Sequence, residues 1–232
     1  MQRILLKLSG EYLQEGTEVC ASQRLQNIQE QVAQLHHHNF EIGIVVGGGN
    51  IFRGGKHNLG IGMDRCLADP IGMAATWVNA LTLQAYFLTQ GIPAKVYGAQ
   101  ALGTVIPAFQ VERVRWDIKT HVIIFAGGTG HPFFSTDTAA ALRASEIQAT
   151  LLLKATKVDG VYDKDPKKYD DAKRFDSLTY HEALANQYRV MDACAFALCM
   201  EQKLPIFIFN IFEKDAIIRA ASKQIKGTLI TA

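Results

Sequence analysis

Residues 40–55 read FEIGIVVGGGNIFRGG, and the fold predicted from the sequence depends on this stretch. Its apolar part, residues 42–46, is typical of a buried strand. Three consecutive glycines follow, and Arg53 comes four residues after the last of them. Without a Cβ atom, glycine lets backbone N–H groups approach an anion closely, and phosphate is the anion that such loops usually bind. The stretch predicts a strand with a phosphate-binding loop, although a glycine cluster can also be only a tight turn.

A second strand ends in the same way. Residues 122–125 are apolar, and they lead into the glycine-rich run AGGTG at residues 126–130. Two strands that both end in glycine predict two anionic groups near one edge of a sheet, supplied by two phosphorylated ligands or by one long ligand.

Neither loop follows the two common phosphate-binding motifs. The closest approach to a P-loop is at residues 50–57, where Asn50 replaces the first glycine and His57 replaces the final Ser or Thr. The dinucleotide fingerprint G-x-G-x-x-G requires a third glycine. Phe52 stands at that position after the first loop, and Phe133 stands there after the second. The sequence therefore argues against both P-loop and Rossmann proteins.

The composition predicts a globular α/β protein. The chain has 232 residues, of which 48% are hydrophobic, and its formal charge of +2 gives no support for a nucleic-acid or membrane partner. The N-terminus does not resemble a signal peptide, and the four cysteines show no C-x-x-C pair, so we expect a cytoplasmic protein with buried, reduced thiols. Strands alternate with helices throughout, which predicts a three-layer α/β/α sandwich with a largely parallel central sheet in one domain, residues 1–232.

Three further features indicate a site at the edge of this sheet. Lys7 ends the first predicted strand, where it can reach a phosphate, although a surface lysine is the alternative. Asp69 precedes Pro70, and it can either be the N-cap of a long helix that ends near residue 90 or accept hydrogen bonds from a ligand hydroxyl. The loop at residues 131–135 carries two aromatic side chains, and exposing them to water is unfavourable in a loop that only connects two elements, so a binding site is favoured there. Thr136 or Asp137 is expected to cap the helix that follows.

Several blocks of sequence, in the same order, resemble the bacterial uridylate kinases, which are the UMP kinases of the amino acid kinase family. The blocks are KLSGE at residues 7–11, VVGGGNIFRG at 45–54, GMDR at 62–65, GTGHPFFSTD at 128–137, LKATKVDGVY at 153–162, VMD at 190–192 and GTLI at 227–230. The resemblance covers essentially the full chain, and it implies the amino acid kinase fold.

The resemblance implies transfer of the γ-phosphoryl group of ATP to UMP, with Mg²⁺ accompanying ATP, in pyrimidine nucleotide biosynthesis. The ATP-binding residues it implies are Lys7, Leu8, Ser9, Gly10, Gly49, Arg53, Thr156, Tyr162 and Asp165. The UMP-binding residues it implies are Gly48, Asp69, Thr129, Gly130, His131, Pro132, Phe133, Phe134, Ser135 and Thr136. The N-terminal part of the chain would mainly form the UMP site, and the C-terminal part the ATP site.

Phosphoryl transfer requires positioning and charge neutralisation more than covalent chemistry. The expected catalytic residues are accordingly Lys7 and Arg53, which would stabilise charge on the moving phosphoryl group, and Asp137, which would orient a lysine. Lys154 is a second candidate lysine. No residue is assigned as a direct magnesium ligand.

The chain departs from the family at several positions. His131 stands where Asn is common, Ser135 replaces Thr, and Pro70 follows Asp69 in place of an aromatic residue or histidine. The resemblance also implies a homohexamer that UTP inhibits and GTP activates. Residues 14–21 lack the usual Gly-Phe-Gly-Ile-Asp stretch, which weighs against the activation by GTP.

Two other functions are compatible with these motifs. The first is another kinase of the same fold that phosphorylates a carboxylate or carbamate, although Phe133, Phe134 and Asp69 suit a pyrimidine nucleotide better. The second is a nucleotide-binding regulator without catalysis, which would have no need to keep Lys7, Arg53 and Asp137.

Overall fold

The structure is a computed structural model, and it describes residues 2–52, 63–166, 168–186, 188 and 191–232. The described elements, in chain order, are β1 (Arg3–Leu8), α1 (Gly10–Leu13), α2 (Ser22–His37), β2 (Glu41–Val46), α3 (Arg65–Thr89), β3 (Ala94–Gly98), α4 (Val111–Asp117), β4 (Val122–Ala126), α5 (Thr136–Glu146), β5 (Leu151–Thr156), β6 (Val161–Tyr162), β7 (Arg174–Phe175), β8 (Ser177–Thr179), α6 (Tyr180–Ala185), α7 (Ala193–Glu201), β9 (Ile206–Asn210), α8 (Ala216–Ala221) and β10 (Gly227–Thr231).

Eight strands form one central sheet in the order β3-β4-β2-β1-β5-β9-β10-β8. All neighbouring strands from β3 to β9 run parallel, whereas β10 runs antiparallel to β9 and parallel to β8. The short strands β6 and β7 form a separate antiparallel pair. The prediction of a largely parallel sheet is confirmed.

Helices cover both faces of the sheet because the strands are apolar on both sides. In β1, Ile4 and Leu6 belong to one hydrophobic core, whereas Leu5 between them belongs to the other. The first core is completed by residues of α2, α3 and α8, and the second by residues of α4, α5, α6 and α7. Alternate side chains of a strand point to opposite faces, so strands buried on both sides need continuous apolar runs. The three-layer α/β/α architecture is therefore confirmed.

The sheet brings the predicted site residues to one edge. In register, Leu8 at the end of β1 lies beside Val46 at the end of β2, so both are followed by their glycine-containing loops at the same height. Lys7 also pairs with Lys154 of the neighbouring strand β5. Open parallel sheets bind ligands outside the carboxyl ends of their strands. The strand register alone thus places two lysines side by side at the expected edge.

Two predicted helix caps are wrong. The long helix α3 begins at Arg65 after Asp64 at the N-cap position, so Asp69 and Pro70 lie inside it. The Asp-Pro pair looked like a start signal because proline lacks the N–H that is unpaired in a first turn. In α5 the N-cap is Ser135, whose side chain accepts hydrogen bonds from the N–H groups of Asp137 and Thr138. Three capping residue types stand in a row there, and local sequence does not distinguish them.

The state of the cysteines and the character of the helices can be compared with the predictions from the sequence. All four cysteines are free thiols, but the expectation that they are buried is wrong for Cys66 and Cys194, which are exposed, and only Cys199 is fully buried. In the part of the chain that the structure describes, no helix combines the length and the apolar character needed to traverse a bilayer.

Candidate functional site

The centre of the site is a carboxylate held between two lysines. Asp137, in the first turn of α5, lies 2.9 Å from Lys7 Nζ through Oδ1 and 2.5 Å from Lys154 Nζ through Oδ2. All three side chains are at most 15% exposed. The lysines are neighbours because β1 and β5 pair in register, and α5 packs across these strands from one face. The result is a partly desolvated charge centre with one net positive charge when both lysines are protonated.

The environment shifts the pKa values within this centre. Burial by itself would raise the pKa of Asp137, but the charges of Lys7 and Lys154 outweigh it and hold the pKa below its ordinary value. The pKa of Lys154 is lowered, mainly because the side chain is buried. The negative charge of Asp137 acts in the opposite direction, and the positive charge of Lys7 lowers the pKa further. Asp137 is therefore ionised at neutral pH and can fix the positions of both ammonium groups.

Helix α3 holds both glycine loops. The fully buried Asn79 donates a hydrogen bond to the carbonyl oxygen of Gly47 at 2.7 Å, and it exchanges side-chain hydrogen bonds with Asn50 in the same loop. One turn earlier, Thr76 Oγ1 accepts the N–H of Gly127 at 2.7 Å. Buried polar groups on an otherwise apolar helix require partners, and here the two loops provide them. The two loops are therefore fixed relative to one another through one rigid element.

Two glycines permit backbone approaches that a side chain would prevent. A Cβ atom on Gly10 would lie 2.4 Å from Asn50 Oδ1 and 2.5 Å from the carbonyl oxygen of Gly47. A Cβ atom on Gly48 would lie 2.7 Å from the carbonyl oxygen of Gly72 in α3. The turn after β1 and the loop after β2 therefore pack against each other and against α3.

Asp192 joins the N-termini of α5 and α7. Its carboxylate caps α7 by accepting the N–H of Ala195 at 2.9 Å. It also accepts hydrogen bonds from the hydroxyls of Ser135 and Thr138, the latter at 2.9 Å. Ser135 and Thr138 flank Asp137 in sequence, so Asp192 fixes the turn that presents the central carboxylate. This link joins segments that are more than 50 residues apart in the sequence.

A second cluster of contacts holds the aromatic loop, residues 131–135, against α3. Asp69 Oδ2 accepts the backbone N–H of Phe133 at 2.7 Å and lies 2.9 Å from the guanidinium of Arg65. The guanidinium also stacks over the Phe133 ring, with 5.1 Å between the guanidinium carbon and the ring centroid. Phe133 has a φ of 73°, a conformation that is costly for residues other than glycine. Such strained residues persist where their surroundings hold them, often at binding sites.

Two clefts meet at this centre. The first cleft has a volume of about 430 Å³ and is lined by Lys7, Ser9, Gly10, Gly47, Gly48, Gly49, Phe52, Arg65, Ala68, Asp69, Gly72, Met73, Thr76, Gly128, Phe134, Ser135 and Thr136. The second cleft has a volume of about 200 Å³ and is lined by Lys7, Ser9, Glu11, Tyr12, Lys154, Ala155, Thr156, Lys157, Ile211 and Phe212. Among the described residues, only Lys7 and Ser9 occur in both linings, so one ligand in each cleft would meet its neighbour at Lys7.

The structure brings most of the predicted site residues together. The first cleft is lined by nine of them, which are Lys7, Ser9, Gly10, Gly48, Gly49, Asp69, Phe134, Ser135 and Thr136. Thr156 lines the second cleft.

The other predicted residues that the structure describes line neither of these two clefts. Tyr162 and Asp165 line a separate cavity of about 590 Å³. The side chain of Leu8 is buried in the hydrophobic core, and its carbonyl oxygen accepts the N–H of Gly47. Thr129, Gly130, His131, Pro132 and Phe133 form the loop between β4 and α5 and are not among the residues that line the first cleft. Arg53 lies outside the described residues.

The roles of Thr76, Asn79 and Arg65 were not predicted from the sequence. A signal was present for the first two, because they are polar residues one turn apart on the buried face of an apolar helix. Their partners could not be inferred, since the hydrogen bonds join segments that are distant in sequence.

Comparisons with known proteins extend over the whole chain. The profile of the amino acid kinase family matches residues 2–210. A uridylate kinase from Francisella tularensis subsp. holarctica is 43% identical over 236 aligned positions, which cover 100% of this chain and 94% of that protein. The UMP kinase structure from Ureaplasma parvum has a TM-score of 0.95 at 35% identity and covers 100% of this chain and 99% of its own. The UMP kinase structure from Bacillus anthracis has a TM-score of 0.95 at 33% identity, with coverages of 99% and 96%.

Proposed function

The chain belongs to the amino acid kinase family, and from this premise we propose that it is a uridylate kinase in pyrimidine nucleotide biosynthesis. The reaction transfers the γ-phosphoryl group of ATP to UMP and yields UDP and ADP. An oxygen of the UMP phosphate forms a bond to the γ-phosphorus, and the bond from that phosphorus to the β–γ bridging oxygen breaks. The phosphate oxygen of UMP is already anionic near neutral pH, so the reaction needs no general base.

The observation that supports this function best is the Lys7–Asp137–Lys154 centre at the junction of two clefts. Phosphoryl transfer spreads negative charge over the transferred group, and catalysis consists largely of positioning and electrostatic stabilisation. Two ammonium groups held by one buried carboxylate need no reorganisation when that charge develops. We assign Lys7 to the transferred group because it lines both clefts, and Asp137 to the orientation of both lysines.

The two clefts differ in the ligand that we assign to them. UMP occupies the first cleft, with its phosphate near Gly48 and its ribose towards Asp69 and the aromatic loop. The phosphates of ATP extend over Ser9 and Gly10 towards Thr156 in the second cleft. The N-terminal part of the chain thus supplies mainly the acceptor site and the C-terminal part mainly the donor site, within one domain.

The residues present suit a magnesium ion that arrives with ATP. Among the described residues, no group of three or more His, Cys, Asp or Glu side chains is arranged to hold a metal ion by itself. Magnesium in kinases is typically bound through one or two carboxylates together with the substrate phosphates. Asp137 would hold a magnesium-bound water, and the bound ion would neutralise charge on the β- and γ-phosphates.

We further propose a cytoplasmic homohexamer that UTP inhibits. Support for self-association comes from α3, on which Leu67, Ile71, Val78 and Leu88 are exposed large apolar residues. Activation by GTP is not part of the proposal, because residues 14–21 lack the sequence associated with it. Light scattering of the purified protein tests the oligomeric state, and a UTP titration of the activity tests the inhibition.

A direct assay of nucleoside diphosphate formation tests the function. Purified protein with MgATP is supplied in parallel with UMP, CMP, dTMP, AMP and a panel of carboxylate acceptors. We expect selective formation of UDP. Faster turnover with a carboxylate would identify another kinase of this fold, and UMP binding in calorimetry without any product would identify a regulatory protein.

A further inference from the structure

An ion pair links the two segments that border the second cleft. Lys157 Nζ lies 3.1 Å from Glu11 Oε2, and both residues line this cleft. Glu11 belongs to α1, which follows β1, whereas Lys157 directly follows the last residue of β5. β1 and β5 are paired neighbours in the sheet, so the segments after them lie side by side at its carboxyl edge. The pair therefore connects the two strand ends between which the second cleft lies.

The backbone on both sides of this pair is held in place. Thr156 Oγ1 donates a hydrogen bond to the carbonyl oxygen of Val158 at 2.6 Å and accepts the N–H of Val158 at 3.1 Å, which fixes the turn that carries Lys157. On the other side, Gly10, which precedes Glu11, packs closely against the loop after β2. A rearrangement of the pair therefore involves its side chains, of which the four-carbon lysine stem is the more flexible.

The pair is suited to opening because solvent reaches it. The side chain of Lys157 is 59% exposed and that of Glu11 is 29% exposed. Such ion pairs contribute little to stability, since water and salt screen the attraction. Lys7 and Lys154, which also line the cleft, are held by Asp137, and these three side chains are at most 15% exposed. Among the described lysines of the cleft, Lys157 therefore has the counter-ion that is exchanged most easily.

We propose that Glu11 holds Lys157 until the donor binds, and that Lys157 then transfers its ammonium group to a phosphate of ATP. The inference rests on the proposed function, in which the donor phosphates extend over Gly10 towards Thr156. Glu11 and Lys157 are the next residues along the chain after these two, so the ion pair borders the path of the phosphates. An ammonium group forms strong, charge-assisted hydrogen bonds with phosphate, and a triphosphate carries more negative charge than one carboxylate.

This role differs from the role assigned to Lys7. Lys7 lines both clefts, whereas Lys157 lines the second cleft and not the first. A contact to a phosphate that is not transferred is equally strong before and during the reaction, so it acts on donor binding and not on the transfer step. Lys157 is therefore a positioning residue for the donor, and Glu11 is an anion that competes with the donor for it.

Single variants test the competition through the KM for MgATP. Glu11→Gln removes the competing anion and should lower this KM about twofold to fivefold. Lys157→Met should raise it about fivefold, while kcat changes less than about twofold. The control Lys119→Met removes the same charge from an exposed lysine that lies over the Trp116 ring and lines neither cleft, and it should leave the KM unchanged. A raised KM in Glu11→Gln would overturn the proposal, because the intact pair would then assist the donor.

A double variant distinguishes exchange from simple neutralisation of charge. If Lys157 only neutralises Glu11, Lys157→Met should have no effect on the KM for MgATP once residue 11 is glutamine. If Lys157 binds a donor phosphate, Lys157→Met should still raise the KM about fivefold in the Glu11→Gln background. An equal KM in the double variant and in Glu11→Gln would contradict the proposed exchange.

Calorimetry with MgADP provides a readout that does not depend on turnover, because ADP keeps two of the donor phosphates. The Kd should be lowest in Glu11→Gln, intermediate in wild type and highest in Lys157→Met, and equal values would refute the exchange. Wild-type formation of UDP is measured first. If UDP forms but the variants do not differ, only this inference fails, whereas absence of UDP refutes the proposed function itself.

Discussion

Replacing Asp137 with asparagine should destabilise the protein strongly, because it leaves two buried ammonium groups without their shared anion. The carboxylate lies 2.9 Å from Lys7 Nζ and 2.5 Å from Lys154 Nζ. At an effective dielectric constant of about 20, each of these attractions amounts to about 6 kcal/mol. Desolvation of the three charges offsets much of that sum. Removing one partner of a buried ion pair typically costs about 3–5 kcal/mol, which is a large share of a total stability of about 5–15 kcal/mol.

Urea unfolding at neutral pH measures this loss as a change in the free energy of unfolding. The control is Asp171→Asn, because Asp171 also lies 2.5 Å from a lysine, Lys164, but its side chain is 77% exposed. Exposed pairs contribute about 0–1 kcal/mol, so the control should lose no more than that. Equal losses in the two variants would refute the argument from burial.

A double variant distinguishes the charge effect from a change of shape. Adding Lys154→Met to Asp137→Asn removes one of the two unpaired ammonium groups and keeps an unbranched side chain of similar length. The double variant should be more stable than Asp137→Asn alone. A further loss of stability would show that packing, and not unpaired charge, explains the effect of the single substitution.

Three further predictions concern the same site. Lys7→Ala should lower kcat far more than it weakens the binding of UMP in calorimetry, and equal losses would contradict its assignment to the transferred group. Gly48→Ala should cost about 1–3 kcal/mol in urea unfolding, because a Cβ atom there would lie 2.7 Å from the carbonyl oxygen of Gly72, whereas Gly72→Ala meets no atom within 4 Å and should not destabilise. The lowered pKa of Asp137 means that its stabilisation is present above the ordinary value of 3.8 and is lost as the pH falls through the folded-state pKa. The stability difference between wild type and Asp137→Asn should therefore shrink as the pH falls below 3.8, and a constant difference would contradict the assigned charge.

The parts of the fold that depend on short-range patterns could be predicted from the sequence. The apolar runs that end in glycine identified β2 and β4, because strands buried on both faces have no polar alternation. The start of α3 could not be predicted, since Asp69 and Pro70 give a local start signal, whereas the helix begins one turn earlier at Arg65, whose guanidinium lies 2.9 Å from Asp69 Oδ2. The choice of Ser135 as the N-cap of α5 depends on Asp192, to which the Ser135 hydroxyl donates a hydrogen bond.

In the candidate site, too, the residue types could be predicted from the sequence, whereas their arrangement could not. Resemblance supplied the residue types, but their arrangement depends on contacts between distant segments. Lys154 was only a secondary candidate, and its place beside Lys7 follows from the register of β1 with β5. The support of both glycine loops by Thr76 and Asn79 also depends on how α3 packs on the sheet. Such long-range contacts leave no periodic signal in the sequence.

The position of β1 in the sheet has a consequence for biosynthesis. β1 is synthesised before β2 and β5 but lies between them, and its residue Ile4 pairs with Leu151. On the ribosome, β1 and β2 can pair early, but the opposite edge of β1 stays open until β5 has emerged. An open apolar edge on a nascent chain is prone to aggregation, and pairings between distant residues form slowly. Completion of the central sheet, and with it the meeting of Lys7 and Lys154, therefore has to wait until most of the chain has been translated.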